Sequence, residues 1–329
     1  MTMPRMATVV AALLALTPVA KALGTTISAS QVVWTTLDDP TAVAEGAGTY
    51  PQGVSGSYVV GYYGSDPIVD SSFIYNTATN AWTTINYPGG DPTIALGVDG
   101  NNVVGYYYPY SSSGPIPAKG FVYNIASQSW ATLVDPSAGT GPTGLTELTG
   151  ISGNTIVATY YPGEEPSIYN IATQTWTNPR AFYGNFEGIQ GNNAVGFDGN
   201  DGFVYSVSAG NVLATLSDPS AGSNGTVATG IGGNDVVGYF FDSSGNKHGF
   251  FYDGSTYTTL DDPAAPAPNG TEINAISGNT MVGIYFTPGS SAQQGFLAEI
   301  VPEPPSLVLA TFGALAIGAL TIRRRSIRI

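Results

Sequence analysis

The sequence predicts an all-β fold: a six-bladed β-propeller of four-stranded antiparallel blades, closed by its own N-terminal strand. Three observations predict it. One phrase, Gly-Ile-x-Gly-Asn-x-x-Val-Gly-Tyr, recurs six times along the chain. Two further short phrases follow it in fixed order. The last copy lacks its final phrase, and that phrase stands alone near the N-terminus. Self-similarity of this kind marks a repeat architecture, and a period of roughly 40–45 residues is that of a four-stranded propeller blade.

The first phrase supplies two strands. It reads GVSGSYVVGYY from Gly53, GVDGNNVVGYY from Gly97 and GISGNTIVATYY from Gly150. It returns as GIQGNNAVGF from Gly188, GIGGNDVVGYF from Gly230 and AISGNTMVGIYF from Ala275. Gly-Asn between two apolar runs suits a tight hairpin, since both residues tolerate φ > 0. The anchor position falls at Gly61, Gly105, Ala158, Gly196, Gly238 and Gly283, with gaps of 44, 53, 38, 42 and 45 residues. A glycine there is expected to let neighbouring blades approach closely.

The third strand follows as SFIYN, GFVYN, SIYN, GFVY, GFFYD and GFLAE. The fourth follows as WTTI at Trp82, WATL at Trp130, WTNP at Trp176, LATL at Leu213 and YTTL at Tyr257. The sixth unit has none, and the orphan WTTL at Trp34 supplies it. The four tryptophans therefore share one repeat position, where each is expected to be a buried anchor of its blade. The strands expected for the last unit are 272–277, 280–286, 295–300 and the borrowed 31–37. Asp-Pro at Asp39-Pro40, Asp135-Pro136, Asp218-Pro219 and Asp262-Pro263 ends the fourth strand, because proline cannot donate to the ladder. Closing the ring in this way removes open edge strands.

Composition agrees and excludes much. Gly (43), Pro (23) and Tyr (20) are abundant and only 10% of residues are charged, a mix suited to strands and tight turns. The absence of Cys excludes disulfides, thiolate metal sites and Cys nucleophiles. One His argues against a His-based triad or a multi-His metal site. Between residues 23 and 300 only Lys119, Arg180 and Lys247 stand against 22 carboxylates, a net of −19. Such a body repels nucleic acid and anionic lipid, and it attracts cations.

Both ends read as targeting devices. Arg5, an apolar run from Ala7 to Ala20 and a small-x-small site ending at Ala22 make residues 1–22 a signal peptide. Residues 23–300 are the repeat domain. Residues 301–329 begin Val301-Pro302-Glu303-Pro304, continue in an uncharged run to Ile322 and end with Arg323, Arg324 and Arg325. The run predicts a membrane helix over 306–322, and its sixteen core residues from Leu307 rise about 24 Å. The basic cluster stays cytoplasmic by the positive-inside rule, placing the acidic bulk outside. This tail resembles the Pro-Glu-Pro (PEP-CTERM) C-terminal sorting signal of Gram-negative exported proteins, with Pro302, Glu303 and Pro304 as its motif. The resemblance implies processing by a membrane-embedded exosortase, transient residence in the inner membrane and delivery to the cell surface or exopolysaccharide matrix. An ordinary tail anchor is the competing reading. The repeats resemble extracellular HAF repeats, most closely at KHGFFYDGSTYTTLDDPAA from Lys247. That resemblance implies export and repetition and supplies no reaction.

Few residues point to chemistry. His248 has the makings of an acid, base or ligand, yet other units carry Lys119, Asp201 and Gln294 in its slot, as a solvated hairpin position would. Asp198, Asn200 and Asp201 have the oxygen spacing of a small Ca²⁺ loop and equally that of a plain turn. Tyr106, Tyr107, Tyr108 and Tyr110 offer either a stacking platform for sugar rings or a core strand. The carboxylates read as scattered in turns, which disfavours a hydrolase needing two that converge. The expected function is that of a non-enzymatic exported protein with a structural or binding role. The alternatives are a glycan-binding module and a propeller enzyme acting on polysaccharide. No cofactor is expected beyond the Ca²⁺ candidate.

Overall fold

A computed structural model describes residues 27–64, 71–89, 92–109, 117–139, 144–161, 165–179, 184–265, 270–286 and 293–301. The signal peptide, Pro302, Glu303, Pro304, the expected helix 306–322, Arg323, Arg324, Arg325 and Tyr110 lie outside the described residues. Among the described residues no helix is long and apolar enough to cross a membrane.

The described strands form six four-stranded antiparallel sheets arranged as propeller blades. Strand β1 (Val32–Thr36) precedes the first of them, and a single-turn helix, α1 (Pro40–Glu45), follows it. Blade one holds β2 (Gly48–Ser55), β3 (Tyr58–Gly64), β4 (Ser71–Asn76) and β5 (Ala81–Ile85). Blade two holds β6 (Thr93–Asp99), β7 (Asn102–Tyr107), β8 (Lys119–Asn124) and β9 (Ser129–Leu133). Blade three holds β10 (Thr146–Ser152), β11 (Thr155–Tyr160), β12 (Glu165–Asn170) and β13 (Thr175–Thr177). Blade four holds β14 (Asn185–Gln190), β15 (Asn193–Asp198), β16 (Asp201–Ser206) and β17 (Asn211–Leu216). Blade five holds β18 (Thr226–Gly232), β19 (Asp235–Phe241), β20 (Lys247–Tyr252) and β21 (Tyr257–Thr259). Blade six holds β22 (Thr271–Ser277), β23 (Thr280–Phe286) and β24 (Gln293–Ile300), and its fourth strand is β1. The register there is Val32↔Ile300, Trp34↔Ala298 and Thr36↔Phe296. The first strand of every blade packs on the preceding blade, and β2 packs on β22, β23 and β24.

Each blade buries the apolar pair of its second strand, such as Val59 and Val60 or Val103 and Val104, almost completely. The third strand adds a fully buried ring in four blades, Phe73, Phe121, Phe250 and Phe296. The tryptophans are not in this core. They lie half-buried on the outermost strands and cap the third strand from outside. Trp34 meets Phe296 edge-on at 4.9 Å, and Trp130 leans on Tyr123 at 4.5 Å and Phe121 at 5.1 Å. An outermost strand has no next layer to cover it, so each anchor packs against its blade's core on one side and keeps part of its surface open.

The anchor glycines are also corrected. A Cβ on Gly61 would meet the Tyr50 carbonyl oxygen at 2.1 Å and the Phe73 ring at 2.8 Å, both in its own blade. The close approach between blades belongs to the glycines of the first strand. A Cβ on Gly97 would stand 3.1 Å from the Gly150 Cα, and one on Gly230 2.8 Å from the Ala275 Cα.

The Asp-Pro corners do more than stop a strand. The backbone N–H groups of Asp39, Asp135, Asp218 and Asp262 donate to the hydroxyls of Thr49, Thr146, Thr226 and Thr271 at 2.8–3.0 Å. Each carboxylate accepts from the N–H two residues on, at 2.7 or 2.8 Å. All four aspartates and all four threonines are buried. Where blade one meets blade two the aspartate is replaced, and the Tyr87 N–H donates to Thr93 Oγ1 at 2.9 Å instead.

Candidate functional site

The first strand of every blade breaks register at one place: Pro51/Gly53, Ala95/Gly97, Leu148/Gly150, Phe186/Gly188, Ala228/Gly230 and Ile273/Ala275. A bulge leaves one residue out of the ladder and re-aims its side chain. The six residues left out are Gln52, Leu96, Thr149, Glu187, Thr229 and Asn274, and all six line the central channel. At the glycine level below them the channel narrows to a throat of about 60 Å³.

Above the bulges the channel widens into a cavity of about 350 Å³. Its wall takes the residue that follows the anchor, contributed by Tyr62, Phe197, Tyr239 and Ile284. Tyr106, from the same position in blade two, lines an adjoining pocket of about 240 Å³. Tyr62 stacks on Tyr50 at 4.7 Å with the rings nearly parallel.

Three glutamates reach this space. Glu187 and Glu272 line the main cavity, and Glu147 lines the adjoining pocket with Glu187. All three stand on first strands and not in turns, which corrects the reading of the carboxylates as scattered. Glu187 keeps part of its surface open to the lumen but is deep within the ring, and among the described residues it has no hydrogen-bond partner. Burial pushes its carboxyl up to about 7, and the negative charge of Glu147 pushes the same way. Burial raises the Tyr239 hydroxyl to about 12, with a smaller push from Glu187. It raises Tyr106 further, assisted by Glu147.

Opposite Glu147, Lys247 forms an ion pair with Glu272. Its ammonium lies 4.6 Å from the centroid of Tyr239, 5.4 Å from that of Phe241 and 5.8 Å from that of Phe286. Burial lowers it to about 8 even with Glu272 beside it.

The residues singled out from sequence divide. Tyr106 and Tyr108 meet edge-on at 5.6 Å on the channel side. Tyr107 faces the other way, is only 4% exposed and stacks on Tyr87 at 3.6 Å. Period-two alternation thus makes the run both platform and core. Asp198 and Asp201 pair across a two-residue hairpin of Gly199 and Asn200, and all four are exposed. The Asn200 carbonyl accepts from the Thr226 N–H at 2.9 Å. Among the described residues no group of three or more His, Cys, Asp or Glu side chains is placed to hold a metal. His248 is partly buried against Phe240, with Nδ1 2.8 Å from Asp261 Oδ2 and Nε2 3.6 Å from Asp242 Oδ2. Burial opposes its charge, but the two aspartates outweigh it and raise its pKa. The glutamates of the channel escaped sequence reasoning. The signal for Glu187 was the variable residue just before the repeat glycine; Glu147 and Glu272 each stand three residues before the first position of their phrase.

No protein-family model and no curated protein matches the chain. Among solved structures it is similar to the β-propeller domain of the Trilobed protease from Pyrococcus furiosus, described as having an open velcro topology. The identity is 12%, the TM-score 0.45, and 76% of this chain and 82% of that one are covered. A protein of unknown function from Bacteroides thetaiotaomicron is 12% identical with a TM-score of 0.49, over 82% of this chain and 76% of that one. An acylaminoacyl peptidase from Pyrococcus horikoshii is 11% identical with a TM-score of 0.43. The match takes in 78% of this chain and spans less than half, 46%, of that peptidase.

Proposed function

We propose that this chain is an exported, non-enzymatic propeller of the cell envelope or exopolysaccharide matrix, sorted by an exosortase through its C-terminal signal, and that it holds a glycan in the mouth of its channel. The observation that carries the binding role is the aromatic wall. Tyr62, Tyr106, Phe197 and Tyr239 occupy one strand position in four blades around adjoining cavities. Flat rings suit the apolar faces of sugars. Gln52 and Asn274 supply polar groups beneath them. The cavity volume of about 350 Å³ falls within the roughly 300–1,000 Å³ range of small-ligand sites. Export and sorting are supported by the terminal segments.

Titration with oligosaccharides from the host's own exopolysaccharide tests the binding role. Tyr106→Ala and Tyr239→Ala are each expected to weaken retention at least tenfold. A protein that retains no sugar on a glycan array has a structural role instead. Intact-mass measurement of the native protein tests the sorting: loss of residues 1–22 and of everything after about Val301 is expected, and a retained Arg-bearing end would leave a tail anchor.

One observation favours a second reading. Glu187, held near neutrality beside Glu147, has the environment of a general acid paired with a second carboxylate. Release of reducing ends from exopolysaccharide, lost in Glu187→Gln, would replace the binding role with a hydrolytic one.

A further inference from the structure

The ring of bulge residues is rich in hydrogen-bond acceptors and poor in donors. Blade four contributes Glu187, whose ionised carboxylate can only accept. Its neighbours in the ring are Thr149 of blade three and Thr229 of blade five, on first strands packed against its own. Both hydroxyls spend their protons on backbone. Thr149 Oγ1 donates to the Val157 carbonyl at 3.3 Å. Thr229 Oγ1 donates to the Ile273 carbonyl at 2.5 Å, with the Val237 carbonyl at 3.2 Å. A hydroxyl has one proton and two lone pairs, so each threonine keeps only acceptor capacity for the channel.

Asn274 of blade six is fixed in the same sense. Its Nδ2 donates to the Pro51 carbonyl of blade one at 2.8 Å, so the amide cannot be reversed and Oδ1 is the end left over. Gln52 of blade one stands across the ring from Glu187 and brings a second amide oxygen. Leu96 of blade two is the ring position without an oxygen. The throat at this level, about 60 Å³, has room for an ion with some of its water. An anion would meet the carboxylate, and an apolar guest would strand the oxygens. A set of hard oxygens with one carboxylate and two amide carbonyls, on a ring with water beside it, suits Ca²⁺; Mg²⁺ demands stricter octahedral geometry.

We propose that the bulge ring is a calcium site on the propeller axis, with Glu187 as its charged ligand and the oxygens of Gln52, Thr149, Thr229 and Asn274 completing the shell directly or through water. The ion ties five blades together at a level where strands pair only within their own blade. The net charge of −19 on residues 23–300 draws cations toward it. A single carboxylate among neutral oxygens sets the dissociation constant at about 10⁻⁴–10⁻³ M. The site is separate from the hairpin of Asp198, Asn200 and Asp201. It competes with the hydrolytic reading of Glu187, since a calcium-bound carboxylate is no general acid, and it is independent of the glycan reading.

Calorimetric titration of the full chain with CaCl₂ at pH 8, after dialysis against a chelator, tests the site together with thermal melting. One calcium per chain is expected, and a melting temperature raised by about 3–6 °C in ~10 mM CaCl₂. An equal rise in NaCl of matched ionic strength would reduce the effect to screening of the acidic surface and overturn the site. Glu187→Gln, which keeps the shape and removes the charge, is expected to weaken binding at least tenfold, while Asp198→Asn leaves it unchanged. The reverse pattern would move the ion to the surface hairpin and sink the proposal. Leu96→Asp places a second carboxylate in the ring and should tighten binding at least tenfold, a gain that misfolding cannot imitate. Calcium affinity indifferent to both Glu187→Gln and Leu96→Asp would overturn the axial site and leave the glycan reading standing.

Discussion

Two glycines of one repeat phrase carry different burdens. A Cβ on Gly238 would lie 2.0 Å from the Val227 carbonyl oxygen, and backbone there cannot give way. Gly238→Ala is expected to destabilise by about 3 kcal/mol or more in urea denaturation. Gly100, at φ 55° in a turn, has nothing within 4 Å of a Cβ, and Gly100→Ala is expected to cost only about 1–2 kcal/mol for the left-handed backbone. The Asp-Thr corners are equally specific. Thr226→Val keeps the shape but strips the Asp218 N–H of its acceptor in a buried place, for an expected loss of about 1–3 kcal/mol. His248 adds a pH dependence. Its raised pKa means that its contribution is fully present below the unfolded value near 6.5 and is lost as pH rises through the folded one. The stability gap between the parent and His248→Gln should therefore be wider at pH 5.5 than at pH 8.

At the scale of elements, the decisive strand is β1. Without it β24 would present an unpaired edge, and the last blade would lose both the ladder to Ile300 and the Trp34–Phe296 contact. A chain beginning after Leu37 is expected to melt well below the parent and to associate on size-exclusion chromatography. An unchanged melting point would show that the sixth blade holds without its N-terminal strand. Trp130→Ala should be milder, about 2 kcal/mol, because the ring is half-buried on an outer strand and not enclosed in the core.

For the whole molecule, the ring brings together what the chain spreads apart. Glu147, Glu187 and Glu272 reach one channel because the ring sets the first strands of blades three, four and six around it; of the three only Glu187 sits in a bulge. The consequence is measurable. A carboxyl raised to about 7 stabilises the fold below its unfolded value near 4.5, and that contribution is lost as pH rises through 7. Glu187→Gln should thus gain stability over the parent at pH 8 and gain least at pH 5. A parallel pH profile for the two proteins would mean that Glu187 is ionised freely and is not confined by the channel.

The number of blades, the four strands in each and the displaced fourth strand were legible along the chain, because they follow from local patterns that recur blade after blade. The expected strand at 280–286 coincides with β23, and the orphan WTTL stands in β1 paired to β24. Burial across layers was not legible. The repeat position of Trp34, Trp82, Trp130 and Trp176 was plain, but whether another layer covers it depends on where the blade ends. The site was least legible of all. Glu147, Glu187 and Glu272 lie in three different blades, and no local pattern reports a distance across a channel. The bulge that turns Glu187 inward is a property of strand pairing, and the ion pair of Lys247 with Glu272 emerges only when two blades face one another. These features arise only on folding, because closure into a ring converts a repeat in sequence into a shared wall in space.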